Sequence, residues 1–232
     1  MVCGGKLVYR THAAEIACNY CGRTFAASVY CPAGHYVCED CHGAGFNDFL
    51  EETALAAAGA DPMAIAEALL RGPFLPSLGA EHHAIVAAAL MAAARNHGPI
   101  PLPGGAARTI TDADIREGIR RMQQIPACTC ANHGACGAGM GVGAFVSILL
   151  DASCAKDVER TLAMRAANAA LAAIADCGGS GCCKQSVRTA VLAGAEFLKE
   201  LCRVRLPLSH VRCFHIKDTT HGCKGVSCRF SL

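Results

Sequence analysis

The pattern of apolar and polar positions predicts a helical centre between two ends of a different character. From Phe46 the chain is rich in alanine, and apolar residues recur at the three- and four-residue intervals of a helix. Helices are predicted from Asn47 or Asp48 to about residue 58, and over residues 62–70, 81–97, 112–125, 137–150, 157–175 and 185–203. The predicted fold class is therefore mainly α: an Ala-rich helical domain with a small N-terminal Cys/His finger and an irregular Cys-rich C-terminal tail.

Several of these helices carry start and stop signals. Asn47 or Asp48 can cap the first helix, and Asp61 stands directly before a proline, which is favoured at the first helical position. Thr111 is placed to cap the fourth helix, and Gly98 is placed to end the third. We therefore expect clean boundaries at these positions.

The amino-acid composition favours helices and argues against nucleic-acid binding. Hydrophobic residues make up 53% of the 232-residue chain and aromatic residues only 5%, so alanine and aliphatic side chains must fill the core. Alanine favours helices over strands. A formal net charge of +2, without basic runs or tryptophan, gives no electrostatic case for nucleic-acid binding. The apolar run 134–150 contains five glycines, which predicts a buried helix and no membrane span.

Cysteine is the unusual component, with seventeen residues. An odd number is untypical of a disulfide framework, and the spacings CxxC, CxC and CC suit metal binding better. The start "MVCGGKLVYR" has no apolar signal core. We therefore expect a cytoplasmic protein whose cysteines are reduced and largely bound to metal.

The first 45 residues contain a zinc-site pattern. Cys18-x2-Cys21 and Cys38-x2-Cys41 are separated by sixteen residues, a spacing typical of a four-cysteine zinc site. Each CxxC turn presents two thiolates, and two such turns complete a tetrahedron. The predicted module is a ribbon or treble clef, with zinc in a closed, structural site.

Further potential ligands suggest a second metal, as in a cross-braced double finger. Cys31, His35 and His42 lie within "CPAGHYVCEDCH" and would need partners from elsewhere. The tail offers such partners at Cys213, His215, His221, Cys223 and Cys228. The alternative is that His35 and His42 support the first site or lie at the surface. The tail would then pack back on the finger or the core.

Two central loops place thiols before helix starts. "CTCANHGACGAG" contains Cys128, Cys130 and Cys136, and "DCGGSGCCKQS" contains Cys177, Cys182 and Cys183. The positive end of a helix stabilises thiolates and anions, and glycine lets the backbone approach a bulky inorganic group. Together the loops can hold a 4Fe-4S cluster on three cysteines, with one iron open to substrate. Small buried hydrophobic side chains are the alternative.

Residues 128–198 resemble the cluster-bearing domain of L-cysteine desulfidase and, more remotely, the α domain of iron–sulfur L-serine dehydratase. Two segments follow the order and spacing of that family and are similarly rich in small residues: "GACGAGMGVGAFVSILLDASCAKDVERTL" and "DCGGSGCCKQSVRTAVLAGAEF". The resemblance implies that Cys177 and Cys183 are the later two cluster ligands. It places the first ligand at Cys130 or Cys136.

The whole chain resembles an uncharacterised Cys-rich domain family. Its members stand alone or are fused to SAM-dependent methyltransferase or radical-SAM modules, mostly in anaerobes. The shared features are the finger, a helix start of the type "P-x-x-x-x-E-H-H", and the "ACGAG" and "GCCK" loops. This resemblance implies a possible SAM-dependent enzyme partner.

Five residues are candidates for proton transfer and substrate binding. Glu81, His82 and His83 form the first turn of an apolar helix, where a neutral imidazole could act as a base. Lys184, after the cysteine pair, and Arg188, one turn later, could hold a substrate carboxylate. The alternatives are that one histidine caps or packs while the other faces water, and that both cations face solvent.

The sequence therefore predicts three regions: a finger at 1–45, a helical iron–sulfur domain at 46–206 and a Cys/His-rich tail at 207–232. The first function hypothesis is an iron–sulfur-dependent lyase or desulfidase acting on a small thiol- or hydroxyl-bearing acid. The alternative is an accessory protein that handles sulfur or clusters, and a second alternative is a structural zinc protein used for interaction. Expected partners are a small-molecule substrate or sulfur donor, with no nucleic acid and no membrane. The oligomeric state is left open.

Overall fold

The computed structural model describes residues 3, 5–72, 75, 78–178, 181–213 and 223–231, without the side chains of residues 42–44. Contacts between Cα atoms divide the chain into two compact units, Met1–Gly45 and Phe46–Leu232. Within the described residues most of the secondary structure is helical, and the strands form small two-stranded sheets. The prediction of a mainly α fold with a Cys-rich N-terminal module is confirmed.

The first unit is built on a β-hairpin. Strand β1 (Val8–Ala17) pairs antiparallel with β2 (Thr24–Tyr30), and the register shifts between Tyr9 and Ala14. Very few of the described side chains in this unit are buried: Cys18, Ala27, Cys31 and Cys38. Cysteines thus take the place that a hydrophobic core occupies in a larger domain.

Helix α1 (Glu39–Ala56) begins earlier than the sequence indicated. The predicted start at Asn47 or Asp48 is wrong, because the helix already begins directly after Cys38. Glu39 and Asp40 form an acidic first turn, which suits the positive end of a helix. The glycines that follow lower helix propensity by about 1 kcal/mol each, and they masked this start in the sequence pattern.

The second unit contains the remaining helices and one small sheet. Strand β3 (Ile100–Pro101) pairs with β4 (Ala107–Arg108) in the connection after the third helix. The helices are α2 (Pro62–Leu70), α3 (Glu81–His97), α4 (Asp112–Gln123), α5 (Thr129–His133), α6 (Gly137–Leu149), α7 (Asp157–Asp176) and α8 (Cys183–Cys202), with a 3-10 turn at Gly225–Ser227.

Helix α3 is the centre of the second unit, and α2, α4, α6 and α8 all pack against it. Every residue from Ala84 to Ala94 is buried. Close approach depends on small residues: a Cβ on Gly118 would lie 2.6 Å from the sulfur of Met91. Alanine and glycine thus let the helices pack with little space between their backbones.

The predicted helix boundaries at Asp61, Gly98 and Thr111 are present. Asp61 Oδ1 accepts hydrogen bonds from the backbone N–H groups of Met63 and Ala64, at 2.9 and 3.0 Å. Thr111 and Asp114 form a reciprocal capping box at the start of α4. Gly98 ends α3 with a φ of 97°, a conformation that favours glycine.

Among the described residues, none of the helices combines the length and the apolar character needed to cross a bilayer. The apolar run near residue 140 forms α6, which has 13 residues. It is mostly buried within the second unit.

Candidate metal centres

The two CxxC motifs of the first unit come together as predicted. The ligand atoms of Cys18, Cys21, Cys38 and Cys41 all lie within 4.8 Å of one another. Cys21 Sγ and Cys38 Sγ are 3.7 Å apart. Sulfurs bound tetrahedrally at about 2.3 Å from one ion would be separated by about 3.8 Å. The group therefore has the spacing to hold a metal ion.

The first CxxC turn is shaped by backbone hydrogen bonds. Cys18 N–H donates to the carbonyl of Arg23 at 2.8 Å, and Gly22 N–H donates to the carbonyl of Cys18 at 2.9 Å. Gly22 has a φ of 71°, in the left-handed region that favours glycine. The turn thereby presents both thiols to the same side, where Cys38 follows at the start of α1.

Backbone donors favour the thiolate form in this group. Burial raises the pKa of Cys18, but the backbone N–H groups of Cys21, Cys38 and Tyr20 outweigh burial and lower the pKa to about 6. Neighbouring thiols raise the pKa of Cys41 to about 12, together with burial. Because the four sulfurs cannot all ionise side by side without a cation, the group is suited to binding one.

A second group of ligands lies in the same unit. Cys3, Cys31 and His35 have their ligand atoms within 4.8 Å of one another, and Cys3 Sγ is 3.6 Å from Cys31 Sγ. Cys31 and His35 were predicted as ligands, whereas Cys3 was missed because no CxxC or CxH spacing marks it. The side chain of His42 lies outside the described residues.

The tail cysteines have other neighbours within the second unit. Cys213 N–H donates to the carbonyl of Phe230 at 2.7 Å, and the Cys213 thiol interacts with Arg188. Cys223 Sγ accepts a hydrogen bond from a backbone N–H at 3.3 Å. The backbone carbonyl of Cys228 accepts one from Ser231 at 2.9 Å. His215 and His221 lie outside the described residues, and a metal shared between tail and finger stays a prediction.

The two central thiol loops lead into adjacent helix starts. Cys136 precedes α6 as its N-cap. Burial raises the pKa of its thiol, while the nearby backbone N–H groups of Ala138 and Gly139 and the hydroxyl of Ser186, in the first turn of α8, act to lower it. Cys183 is the first residue of α8. The starts of α6 and α8 therefore lie against each other, with a thiol on each.

Four of the central thiols are close enough to affect one another. Burial, together with smaller contributions from the thiols of Cys136, Cys130 and Cys182, raises the pKa of Cys183 to about 12. Burial likewise raises the pKa of Cys136, to which Cys130 also contributes. Among the described residues, this set does not meet the 4.8 Å spacing that marks the two groups of the first unit. The central thiols thus form a looser cluster.

Two predicted cluster ligands have other surroundings. Cys177 follows α7, and its Sγ is 3.8 Å from the hydroxyl of Thr189, six residues beyond Cys183 in α8. Lys224 donates a hydrogen bond to the Cys177 carbonyl. Cys128 is exposed and has a φ of 61° as the N-cap of α5, a short helix that the sequence pattern did not indicate.

The predicted histidines are buried beside these loops. His83 Nδ1 lies 3.1 Å from the carbonyl of Ile125, and His82 Nδ1 lies 3.3 Å from the carbonyl of Gly79. Because a carbonyl only accepts, Nδ1 carries the proton in each neutral ring and Nε2 carries the lone pair. The backbone of Gly79 also lowers the pKa of the Cys183 thiol, which places the turn before α3 near the start of α8.

The charged candidates differ in their surroundings. Glu81 is partly exposed as the first residue of α3, and Lys184 is buried in the first turn of α8. Arg188 is also buried, and it pairs with Glu67 through two hydrogen bonds of 2.5 and 3.1 Å. The prediction that Arg188 could hold a substrate carboxylate is therefore wrong, because the carboxylate of Glu67 already accepts hydrogen bonds from its guanidinium. Glu67 was missed, since a lone glutamate in an apolar helix has no distinctive spacing.

The comparison with known families concerns the second unit. The profile of a family of unknown function, DUF5714, matches residues 50–231. The chain belongs to this family. The DUF5714 match begins after the finger and includes both central thiol loops, the paired histidines and the Glu67–Arg188 pair. No curated protein and no solved structure matches the chain significantly.

Membership of DUF5714 confirms the predicted resemblance to an uncharacterised family over most of the chain. The first unit, with both of its close ligand groups, lies outside the DUF5714 match. The predicted fusions to SAM-dependent modules and the relationship to L-cysteine desulfidase stay predictions.

Proposed function

We propose that this DUF5714 member is an iron–sulfur-dependent lyase or desulfidase acting on a small thiol- or hydroxyl-bearing acid. The observation that carries the proposal is that Cys136 and Cys182 are the N-caps of α6 and α8, two helices that pack together, with Cys183 as the first residue of α8. In the finger, the four-cysteine group would hold zinc, since four thiolates at this spacing suit a closed tetrahedral site.

The donor set of the central loops fits a cluster better than a single ion. A cluster holds its thiolates farther apart than one ion does, and these thiols interact without meeting single-ion spacing. Cys136 and Cys182 are the N-caps of α6 and α8, and Cys183 is the first residue of α8, so these thiols lie next to the free backbone N–H groups of two helix starts. Such N–H donors offset the negative charge of a thiolate-bound group. Three of the four cysteines would suffice as ligands.

The chain's own residues would bind the substrate and move its proton. The cluster would supply a Lewis-acidic iron for the leaving sulfur or oxygen. The neutral His82 and His83 each carry a lone pair on Nε2, so either could take the α-proton of the acid. Lys184 and the N-terminal ends of α6 and α8 favour a carboxylate nearby. Loss of the α-proton and the β-group from cysteine gives sulfide and an enamine, which water converts to a keto acid and ammonia.

The decisive experiment is anaerobic purification of the full chain, followed by analysis of iron, zinc and acid-labile sulfide. We expect a brown protein that releases sulfide or ammonia from cysteine, serine or a homologue. Cys136→Ala and Cys183→Ala should each lose iron and activity. Cys202→Ala, at the other end of α8, is the matched buried control and should keep both. A colourless protein with zinc alone would refute the proposal and favour the structural zinc protein.

Substitution of His83 distinguishes the role of its Nδ1 atom from that of its Nε2 atom. His83→Asn can still donate to Ile125 near the Nδ1 position but has no counterpart of Nε2. We expect this variant to keep its iron and its folding midpoint while kcat falls by about 10²-fold or more, the usual loss for a missing base. Unchanged kcat in His83→Asn, with the same result for His82→Asn, would remove both histidines from the mechanism.

A second function is the transfer of sulfur or a cluster to a partner enzyme. The solvent accessibility of some central thiols favours it. Cys130 and Cys182 are half-buried, so part of the thiol cluster can be reached from solvent. The partner would be a methyltransferase or radical-SAM enzyme. This alternative predicts that the purified protein passes its sulfur or cluster to an apo-protein acceptor without turning over cysteine or serine.

A further inference from the structure

The hairpin of the first unit brings together three ligands that are far apart in sequence. Val8 pairs with Tyr30 at the open end of the hairpin, so residues before β1 lie near residues after β2. Cys3 precedes β1, and Cys31 directly follows β2. Their sulfurs are 3.6 Å apart, close to the edge of a tetrahedral thiolate site.

A tight turn adds the third ligand. Gly34 N–H donates to the carbonyl of Cys31 at 2.9 Å, and Cys31 N–H donates to the carbonyl of His35 at 3.0 Å. Gly34 has a φ of 83°, which a side chain would oppose. The turn brings His35 back beside Cys31. The ligand atom of His35 lies within 4.8 Å of the sulfurs of Cys3 and Cys31.

Two further contacts are typical of metal ligands. Gly5 N–H donates to Cys3 Sγ at 3.4 Å, and a Cβ on Gly5 would lie 3.3 Å from that sulfur and 3.6 Å from Cys31 Sγ. The backbone therefore wraps closely around the two thiols. His35 Nδ1 is buried and makes no hydrogen bond of normal geometry with any described residue. A buried ring nitrogen without a partner is costly, and a bound cation would remove that cost.

We propose that Cys3, Cys31 and His35 bind a second zinc ion in the first unit, separate from the four-cysteine site. Two thiolates and an imidazole are a donor set suited to zinc. Cys3 is exposed, so the ion would lie near the surface, where water or a small thiol can take the fourth position. This site does not depend on the iron–sulfur proposal for the second unit.

The order of the ligands along the chain gives this site a structural role. The second site takes Cys3 and the Cys31–His35 turn, and the first site takes the two CxxC motifs. The ligands of the two sites therefore alternate along the chain. The loop of chain that each ion closes contains ligands of the other ion. A unit of this size with almost no buried hydrophobic side chain depends on such crosslinks for its stability.

The test is the zinc content of the full chain, prepared in zinc without added iron and freed of loosely bound metal. Cys3→Ser should lower the zinc content by about one ion per chain relative to the wild type. His35→Ala should do the same. Cys154→Ser, which removes an exposed cysteine from outside the first unit, is the matched control and should lower nothing.

The same preparation in a Cys183→Ala background separates this site from the central thiols. The loss caused by Cys3→Ser should be about one ion there as well, whether or not the second unit binds metal. Cobalt loading gives an independent readout, since the thiolate-to-cobalt absorption should fall in Cys3→Ser and the folded helical signal should not. Equal zinc and equal cobalt absorption in wild type and Cys3→Ser would overturn the proposal.

Discussion

The imidazole of His83 lies directly against Gly137, the first residue of α6. A Cβ placed on Gly137 would be 2.3 Å from Cγ of His83 and 2.6 Å from its Nδ1. The start of α3, which carries the paired histidines, is therefore in contact with the helix start that follows Cys136. This contact places the predicted base beside the loop that carries Cys136.

Gly137→Ala should destabilise the protein, because the new methyl group cannot fit without moving the His83 ring. We expect a loss of about 1–3 kcal/mol in the free energy of unfolding, the usual cost of overpacking. Urea denaturation measures it. Gly181→Ala is the control, since no atom of the described residues lies within 4 Å of a Cβ there. Equal stability of the Gly137 and Gly181 variants would show that His83 moves aside freely.

The helical core could be predicted because its signals are local. Asp61 and Thr111 act through hydrogen bonds to residues two or three positions on, so sequence alone contains both partners. The early start of α1 could not be found this way. The helix begins directly at the second CxxC motif, where glycines gave the opposite local indication.

The candidate sites differ in the same way: some ligands have a local sequence signal, and others depend on contacts between distant residues. The four-cysteine group was predictable because each CxxC turn encodes two neighbouring ligands. Cys3 was missed because its position beside Cys31 depends on strand pairing and on an irregular register between Tyr9 and Ala14. Glu67 was missed for the related reason that its partner Arg188 is 121 residues away.

Glu67→Ala should be among the most destabilising substitutions in the second unit. It would leave the guanidinium of Arg188 buried without its carboxylate, which costs about 3–5 kcal/mol. The matched control is Glu117→Ala, which breaks the partly exposed pairs with Arg120 and Arg121 and should cost under about 1 kcal/mol. Urea denaturation of both variants gives the comparison.

The double variant Glu67→Leu with Arg188→Met tests the cause of that loss. Replacing both charges removes the uncompensated cation, so stability should recover to near the wild-type value or above it. A double variant as unstable as Glu67→Ala would show that the packing of the two side chains matters more than their charge. Phe230, whose ring centroid lies 5.7 Å from the Arg188 guanidinium, is the neighbour whose packing would then be affected.

Metal-free protein should show an unusually unreactive thiol at Cys183. Burial raises its pKa to about 12 from the ordinary 9.0, so almost no thiolate exists at pH 8. Iodoacetamide reacts with the thiolate, and peptide mass spectrometry should therefore find Cys183 labelled much later than the exposed Cys154. Rapid labelling of Cys183 at pH 8 in folded, metal-free protein would contradict this prediction.

The same pKa shift predicts how stability depends on pH. Above about pH 9 the unfolded chain gives up the Cys183 proton while the folded chain keeps it, so stability falls as pH rises towards 12. Cys183→Ala should weaken this alkaline decline in metal-free protein. Metal binding must displace the same proton, so metal affinity should increase with pH over that range.

Removing metal from the first unit should unfold its hairpin and leave the helical core folded. The hairpin unit buries little apart from Cys18, Ala27, Cys31 and Cys38, so without a cation nothing offsets the loss of chain entropy. Hydrogen exchange after anaerobic chelation should show rapid exchange of β1 and β2. The amides of α3, whose residues Ala84 to Ala94 are fully packed, should keep their protection.

Zinc added back should restore protection of the hairpin, and Cys18→Ser should prevent that recovery. In Cys3→Ser the recovery should be partial, because only the four-cysteine group would be filled. A hairpin that stays protected after complete removal of metal would show that strand pairing alone holds it. The cysteines of the first unit would then be available for a purpose other than its folding.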